Sequence, residues 1–333
     1  MFGVTAILTR PLVAPAARRV APSRLLGFGT IAVGAATAAT SVAHSVLAVV
    51  ALRAVAGIGD ALFYVLASSA VYALTPEGQH GRAQSRFSAV VSAGILIGPI
   101  VAETLRLHTG FTAIWLLGAG LCAAAFACVV SLPLPRETPS TRPRAVLERG
   151  AVLPGIVIAA QTWSLAAFSI YVALYANHLG LGSAGGPFAI EAIVVLAVRT
   201  LGARVFDRFM PLPLAATAMA CATSGLALLA AVPHVGALLV GSALLAVSQA
   251  IAYPALIYLA VQRAGLEHRT AAVATFTGFF EAGLASAAIV LGVVLDALGF
   301  AGLYAVAAGV CALALVPLAV VYRAERERAL VAR

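Results

Sequence analysis

The sequence predicts an all-α integral membrane protein made of two repeated helical halves, the first of them incomplete. Three observations predict it. Ten stretches are apolar and long enough to cross a bilayer as helices, which takes roughly 20 residues each, near 22–43, 45–75, 84–107, 110–133, 151–177, 186–206, 212–232, 235–261, 271–296 and 300–322. Of the 21 arginines, 17 fall on alternate connections: after Ala17, Leu74, Pro135, Ala203 and Val261, and in the C-terminal tail. Two charged runs of the first half return in the second at almost one offset, 189 and 187 residues.

The arginine pattern sets the sidedness. The segment Asn177–Pro187 has no acidic residue and no arginine, and neither does the turn at Pro233–His234. By the positive-inside rule the arginine-rich connections and the C-terminus face the cytoplasm, which predicts a multi-pass protein of the cell inner membrane. Composition agrees, with 62% hydrophobic and 10% charged residues. A net charge of +9 raises the idea of a nucleic-acid partner, but the basic residues are divided among short loops and form no single face. Anionic membrane lipid is the expected partner of these arginines. Cys122, Cys128, Cys221 and Cys311 all lie in apolar stretches without metal-ligand spacing, so neither disulfides nor a metal is expected.

The elements follow in order. Residues 1–19 are apolar but short and interrupted by Arg10, so they read as a partial span. Four full spans follow, up to Pro133. Residues 136–149, rich in Pro, Arg, Thr and Glu, read as a flexible cytoplasmic linker. Six spans then fill 150–322, and 323–333 form a tail. The run from Arg10 to Arg18-Arg19 is echoed by Arg199 to Asp207-Arg208, and Arg82 by Arg269. Such repeats are a common plan of secondary transporters. About 47 residues from Val152 lead up to Arg199, whereas nine precede Arg10, so one helix of the first half is expected to be missing, through a misplaced start or a truncation.

These motifs resemble the major facilitator superfamily. Arg10-Pro11 is similar to the arginine-proline before the family's first signature loop, and Arg199…Asp207-Arg208 to its echo. Arg53-Ala-Val-Ala-Gly57-Ile-Gly59 and Gly94-Ile-Leu-Ile-Gly98-Pro99 resemble the fourth- and fifth-helix motifs of the proton-coupled exporters. Two departures stand out: Arg18 replaces the loop's acid and Ala14 its glycine, and Ala102-Glu103 follow Gly98-Pro99 where glycines are frequent. The resemblance implies two pseudo-symmetric six-helix bundles, 1–135 (incomplete) and 150–322. It implies alternating access, a small and fairly apolar substrate, protons as the coupling ion, a monomer, no cofactor and no catalytic role.

Candidate site residues follow from charge and polarity inside spans. A charge there costs roughly 2.5–3.5 kcal/mol on insertion scales and needs a partner or a wet cavity. Arg53 and Asp60 lie seven residues apart, on one helix face, and Glu281 is mid-span. Asp60, Arg53 and Glu281 are the proton-coupling candidates, because carboxylates in such settings can load and release protons. A static ion pair is the alternative for each, and the preferred reading for Glu103 with Arg106. Gln161, Ser164, Phe168, Tyr171 and Tyr175 form a stripe at helical spacing, and Gln249 and Tyr253 are one turn apart. The resemblance places Tyr64, Gln161, Tyr171, Gln249 and Tyr253 around a substrate cavity, and Arg10, Arg199, Asp207 and Arg208 in gating. Proton-coupled efflux is the expected activity. An uptake symporter of the same fold and a non-transporting membrane protein are the alternatives.

Overall fold

A computed structural model describes residues 1–132, 134, 147–201, 211–320 and 322, except the side chains of 95, 96, 99, 100, 103, 104, 106, 107 and 201. Asp207, Arg208, residues 136–146 of the linker and the tail 323–333 lie outside the described residues, as do the side chains of Pro99, Glu103 and Arg106.

Every described element is helical. The first half contains α1 (Phe2–Arg19), α2 (Pro22–Thr40), α3 (Val46–Leu74), α4 (His80–Thr109) and α5 (Phe111–Val130). The second contains α6 (Arg149–Ser169), α7 (Val172–His178), α8 (Gly185–Leu201), α9 (Pro211–Ala231), α10 (Val235–Ala264) and α11 (Arg269–Leu313). By length and composition, six helical stretches among the described residues qualify as bilayer-spanning, one of them the 55-residue run Leu266–Val320. In a bilayer each backbone polar group must be satisfied within its own segment, which is why apolar stretches of this length fold as helices.

Three elements differ in detail from the sequence reading. The N-terminal stretch is one continuous helix of 18 residues that takes in Arg10, Pro11 and Pro15, and partners on other helices satisfy the buried arginine. The expected span 151–177 is two helices, α6 and α7, parted at Tyr171, where φ is −108° and ψ −12°. The Tyr171 phenol donates to the Ala288 carbonyl at 3.1 Å, a contact with a helix more than 100 residues away. The last two spans form one element broken at Gly299, whose φ of +67° is open to glycine at little cost.

Contacts group the chain into two compact units. Unit 1 comprises Met1–Glu77, Val90–Ala151 and Val261–Gly278; unit 2 comprises Gly78–Ala89, Val152–Ala260 and Phe279–Arg333. The opening turns of α4 thus group with the second half, and those of α11 with the first. In unit 1, α2 packs on α3 and α5, and α1 on α3. Glycines permit the closest approaches. A Cβ on Gly57 would overlap Thr5 Oγ1 and the Phe2 carbonyl, and Gly29 and Gly59 each face the other's carbonyl oxygen, 2.7 Å from where a Cβ would stand. In unit 2, Gly225 and Gly241 face one another in the same way across α9 and α10. Close approach at small residues is how membrane helices gain contact when lipid removes the hydrophobic drive between them.

Candidate functional site: two buried arginine centres

In unit 1 the apolar helix α1 carries one buried arginine, Arg10, with 3% of its surface exposed. Its Nη2 lies 3.8 Å from Asp60 Oδ2 on α3, and its Nη1 donates to the Thr277 carbonyl on α11. The Thr277 hydroxyl itself donates to the Val273 carbonyl at 2.8 Å. One guanidinium therefore ties three helices together. Nearby, the Ser69 and Thr270 hydroxyls pair at 2.9 Å and join α3 to α11 again.

Unit 2 holds the counterpart. Arg199 on α8 is 8% exposed. Its Nη1 donates to the Ser88 carbonyl on α4 at 2.7 Å, and its Nη2 to the Gln249 carbonyl on α10 at 3.2 Å. The Ser85 hydroxyl donates to the Arg199 carbonyl at 3.3 Å. The correspondence is residue by residue: Arg10 and Arg199, Ser88 and Thr277, and Asp60 and Gln249 are each 189 positions apart. The offset read from the charged runs thus also relates the partners of the two arginines. The two centres differ at this position: Gln249 meets Arg199 through its main-chain carbonyl, whereas Asp60 meets Arg10 through its side-chain carboxylate.

The proposed partnership of Arg53 with Asp60 is not what the structure shows. Arg53 is exposed, with its guanidinium 5.2 Å from the centre of the Trp115 ring on α5. Seven residues along a helix is about 10 Å, too far for an ion pair, and residues from neighbouring helices take up both groups. Glu281 is half-buried on α11.

The cavity candidates fall in different units. Tyr64 is half-buried on α3 in unit 1, and Gln161, Tyr171, Gln249 and Tyr253 belong to unit 2. Gln161 and Tyr171 are buried, with Gln161 Nε2 3.4 Å from Ser164 Oγ and Tyr171 on the Ala288 carbonyl. The whole α6–α7 stripe is buried: Phe168 meets Phe188 edge-on, and the Tyr175 phenol donates to the Leu229 carbonyl at 3.0 Å. Gln249 and Tyr253 are half-buried, and Tyr253 stands edge-on to Phe280, ring centres 5.7 Å apart. Sequence reading missed Ser88 and Thr277, because they act through backbone carbonyls. The offset of 189 residues was the signal that links them.

Charged side chains buried among membrane-length helices, paired across elements far apart in the chain, define the class as a multi-pass membrane protein with polar centres inside its helical packing. Residues 1–264 match the Major Facilitator Superfamily, and the chain belongs to that family. It is 27% identical over 183 residues to an uncharacterised MFS-type transporter of Salmonella typhimurium, a match that takes in 54% of this chain and 47% of the relative. The chain thus spans about half the length of that curated relative. The fold is similar to that of the human organic anion transporter MFSD10 (TETRAN), with a TM-score of 0.84, 16% identity, and 95% of this chain and 82% of the other covered. It is also similar to FucP in the outward conformation, with a TM-score of 0.78, 14% identity and 95% and 88% coverage. The E. coli fucose:proton symporter FucP gives a TM-score of 0.71, 15% identity and 96% and 90% coverage.

Proposed function

We propose that this protein is a proton-coupled secondary transporter that exports a small, fairly apolar molecule by alternating access. The halves 1–135 and 150–322 are its two moving bundles, and the arginine-rich connections and C-terminus lie on the cytoplasmic side of the inner membrane. The observation that carries the reading is the Arg10–Asp60 pair. Protonating Asp60 removes the anion that links α3 to α1, while Arg10 keeps its hold on the Thr277 carbonyl of α11. A proton thereby changes which helices the guanidinium joins, and a two-state equilibrium shifts by the difference in its binding to the two states. Tyr64, Gln249 and Tyr253 offer half-buried polar and aromatic surface for the substrate, with Gln161 and Tyr171 as buried supports. Arg199, with Asp207 and Arg208 of the connection that follows it in sequence, gates the second bundle, and Glu281 is the competing proton carrier. Efflux, rather than uptake, is favoured by the resemblance of the Arg53 and Gly98-Pro99 motifs to exporters.

The test is flux of a fluorescent amphipathic dye in proteoliposomes under an imposed proton gradient. Asp60→Asn should abolish gradient-driven flux and leave energy-independent exchange. Wild-type flux from Asp60→Asn together with loss in Glu281→Gln would move the coupling to Glu281. Normal flux in both variants would remove proton coupling from the reading.

A further inference from the structure

The 189-residue register of the two arginine centres runs on through α4–α5 and α11. Gly110 and Gly299 both take a positive φ, 82° and 67°, at the break between two spans. Beyond them Phe111 matches Phe300, and Cys122 matches Cys311. The two halves can therefore be compared face by face. In the second half, α6 and α7 cover one face of α11. A Cβ on Gly283 would stand 2.5 Å from the Ala159 carbonyl oxygen, so α6 passes this glycine at main-chain contact. Further along, Cys311 Sγ lies 3.5 Å from the Ala160 carbonyl oxygen, and Tyr175 packs on Tyr304 with ring centres 5.0 Å apart. Gly283, Ala287, Tyr304 and Cys311 are all buried.

The same face of the first half is exposed. Gly94 and Gly98 are the equivalents of Gly283 and Ala287. Both are exposed, and a Cβ on either would meet nothing within 4 Å. Trp115 and Cys122, the equivalents of Tyr304 and Cys311, are half-buried, and Val129 is the one buried residue of α5. Composition does not explain the contrast, since the glycine, the aromatic residue and the cysteine occur in both halves. The halves differ in whether a helix lies on that face.

We propose that the face of α4 and α5 around Gly94 is a docking groove for one further apolar membrane helix, in the role that α6–α7 has in the second half. The occupant comes from outside residues 1–333. Helices α1–α11 have their places, and the stretches 135–146, 202–210 and 323–333 are each shorter than the roughly 20 residues that a bilayer-spanning helix needs. The repeat also defines the chemistry of the occupant. It presents small residues at the level of Gly94, where Ala159 and Thr162 meet Gly283. It brings a main-chain carbonyl to Cys122, as Ala160 does to Cys311. Its gain is close main-chain packing at glycine, the means by which helices associate where lipid removes the hydrophobic drive. This goes beyond the transport reading and does not depend on it.

The test uses the full chain in liposomes and, as probe, a synthetic peptide of this chain's own residues 149–178 with a photoreactive diazirine leucine in place of Leu165. Residue 165 lies three positions beyond Thr162, on the same side of the helix. After illumination, mass spectrometry should find adducts concentrated on residues 90–102 and 111–122. Gly94→Leu should lower their yield about tenfold, the scale on which overpacking acts. It should leave the chain's own thermal unfolding unchanged, because its Cβ stands in open space. A peptide that also carries Thr162→Leu should lose capture to the same degree, and that arm decides if Gly94→Leu fails to fold. Absence of adducts, adducts spread over the exposed helices at large, or capture indifferent to both leucines would each overturn the proposal. So would a wild-type dimer that captures no peptide and that Gly94→Leu turns into a monomer, which would give the face to a second copy. The readout contains no flux, so the groove can fail while the transport reading stands, and can succeed if that reading falls.

Discussion

Arg10 Nη2 stands 3.8 Å from Asp60 Oδ2, and the arginine is far the more buried of the two, its side chain 4% exposed against 34% for the aspartate. The buried member sets the energetics. Removing the carboxylate leaves the cation its bond to the Thr277 carbonyl, whereas removing the arginine takes both contacts from α1 at once.

Arg10→Gln, Asp60→Asn and the double variant should therefore form a non-additive cycle in thermal stability. Solvent at Asp60 screens the pair, so the coupling is expected near 1 kcal/mol rather than at the several kcal/mol of a fully buried pair. Arg10→Gln should cost more than Asp60→Asn, because it also loses the charge-assisted bond to the Thr277 carbonyl, worth about 1.5–3 kcal/mol. Unfolding curves of detergent-solubilised protein measure all three, and strict additivity would show the pair to be energetically silent.

Close packing gives a second prediction. Gly57→Ala should push α1 away from α3, since the new methyl would overlap Thr5 Oγ1 and the Phe2 carbonyl. Overpacking of this kind costs about 1–3 kcal/mol. Gly94→Ala, with nothing within 4 Å of its Cβ position, should be neutral or mildly stabilising. Equal effects from the two substitutions would contradict the packing described for α1 and α3.

Arg53 provides a third. Its guanidinium lies over Trp115, so Arg53→Ala should alter tryptophan emission and lower stability by only about 0.5–1 kcal/mol, the size of an exposed cation–π contact. Arg53→Ala combined with Asp60→Asn should be additive. A coupling of 1 kcal/mol or more, on the scale of about 0.5–3 kcal/mol found for residues in contact, would restore Arg53 to the Asp60 site.

The fourth prediction concerns orientation. A reporter active only in the periplasm, fused after Tyr322, should stay silent, because residues 136–149 and the tail together hold eight arginines. A strong signal would reverse the orientation proposed for every connection.

How far the sequence could be read differs from one residue to the next. The ten apolar stretches were legible because each needs only its own hydropathy, and the structure places helix on all of them. The break at Tyr171 was not legible, since the local 3.6-residue pattern runs straight through it and a hydrogen bond to Ala288 marks it. Asp60 was recognisable as an acid inside an apolar stretch, but Arg10 was not recognisable as its partner. Arg53 is near in sequence, and Arg10 is near only in space.

Taken alone, the chain determined its helical membrane class and the positions of the charges within its apolar stretches. These are one-dimensional properties, set by the cost of moving each segment from water into lipid. The tertiary structure decided which polar groups meet. Arg10 finds Asp60 fifty residues on and Thr277 another 217 beyond that, while Arg199 reaches back 111 residues to Ser88. Such partners depend on which helices lie side by side and at what height, and no local pattern of hydropathy or charge encodes that adjacency.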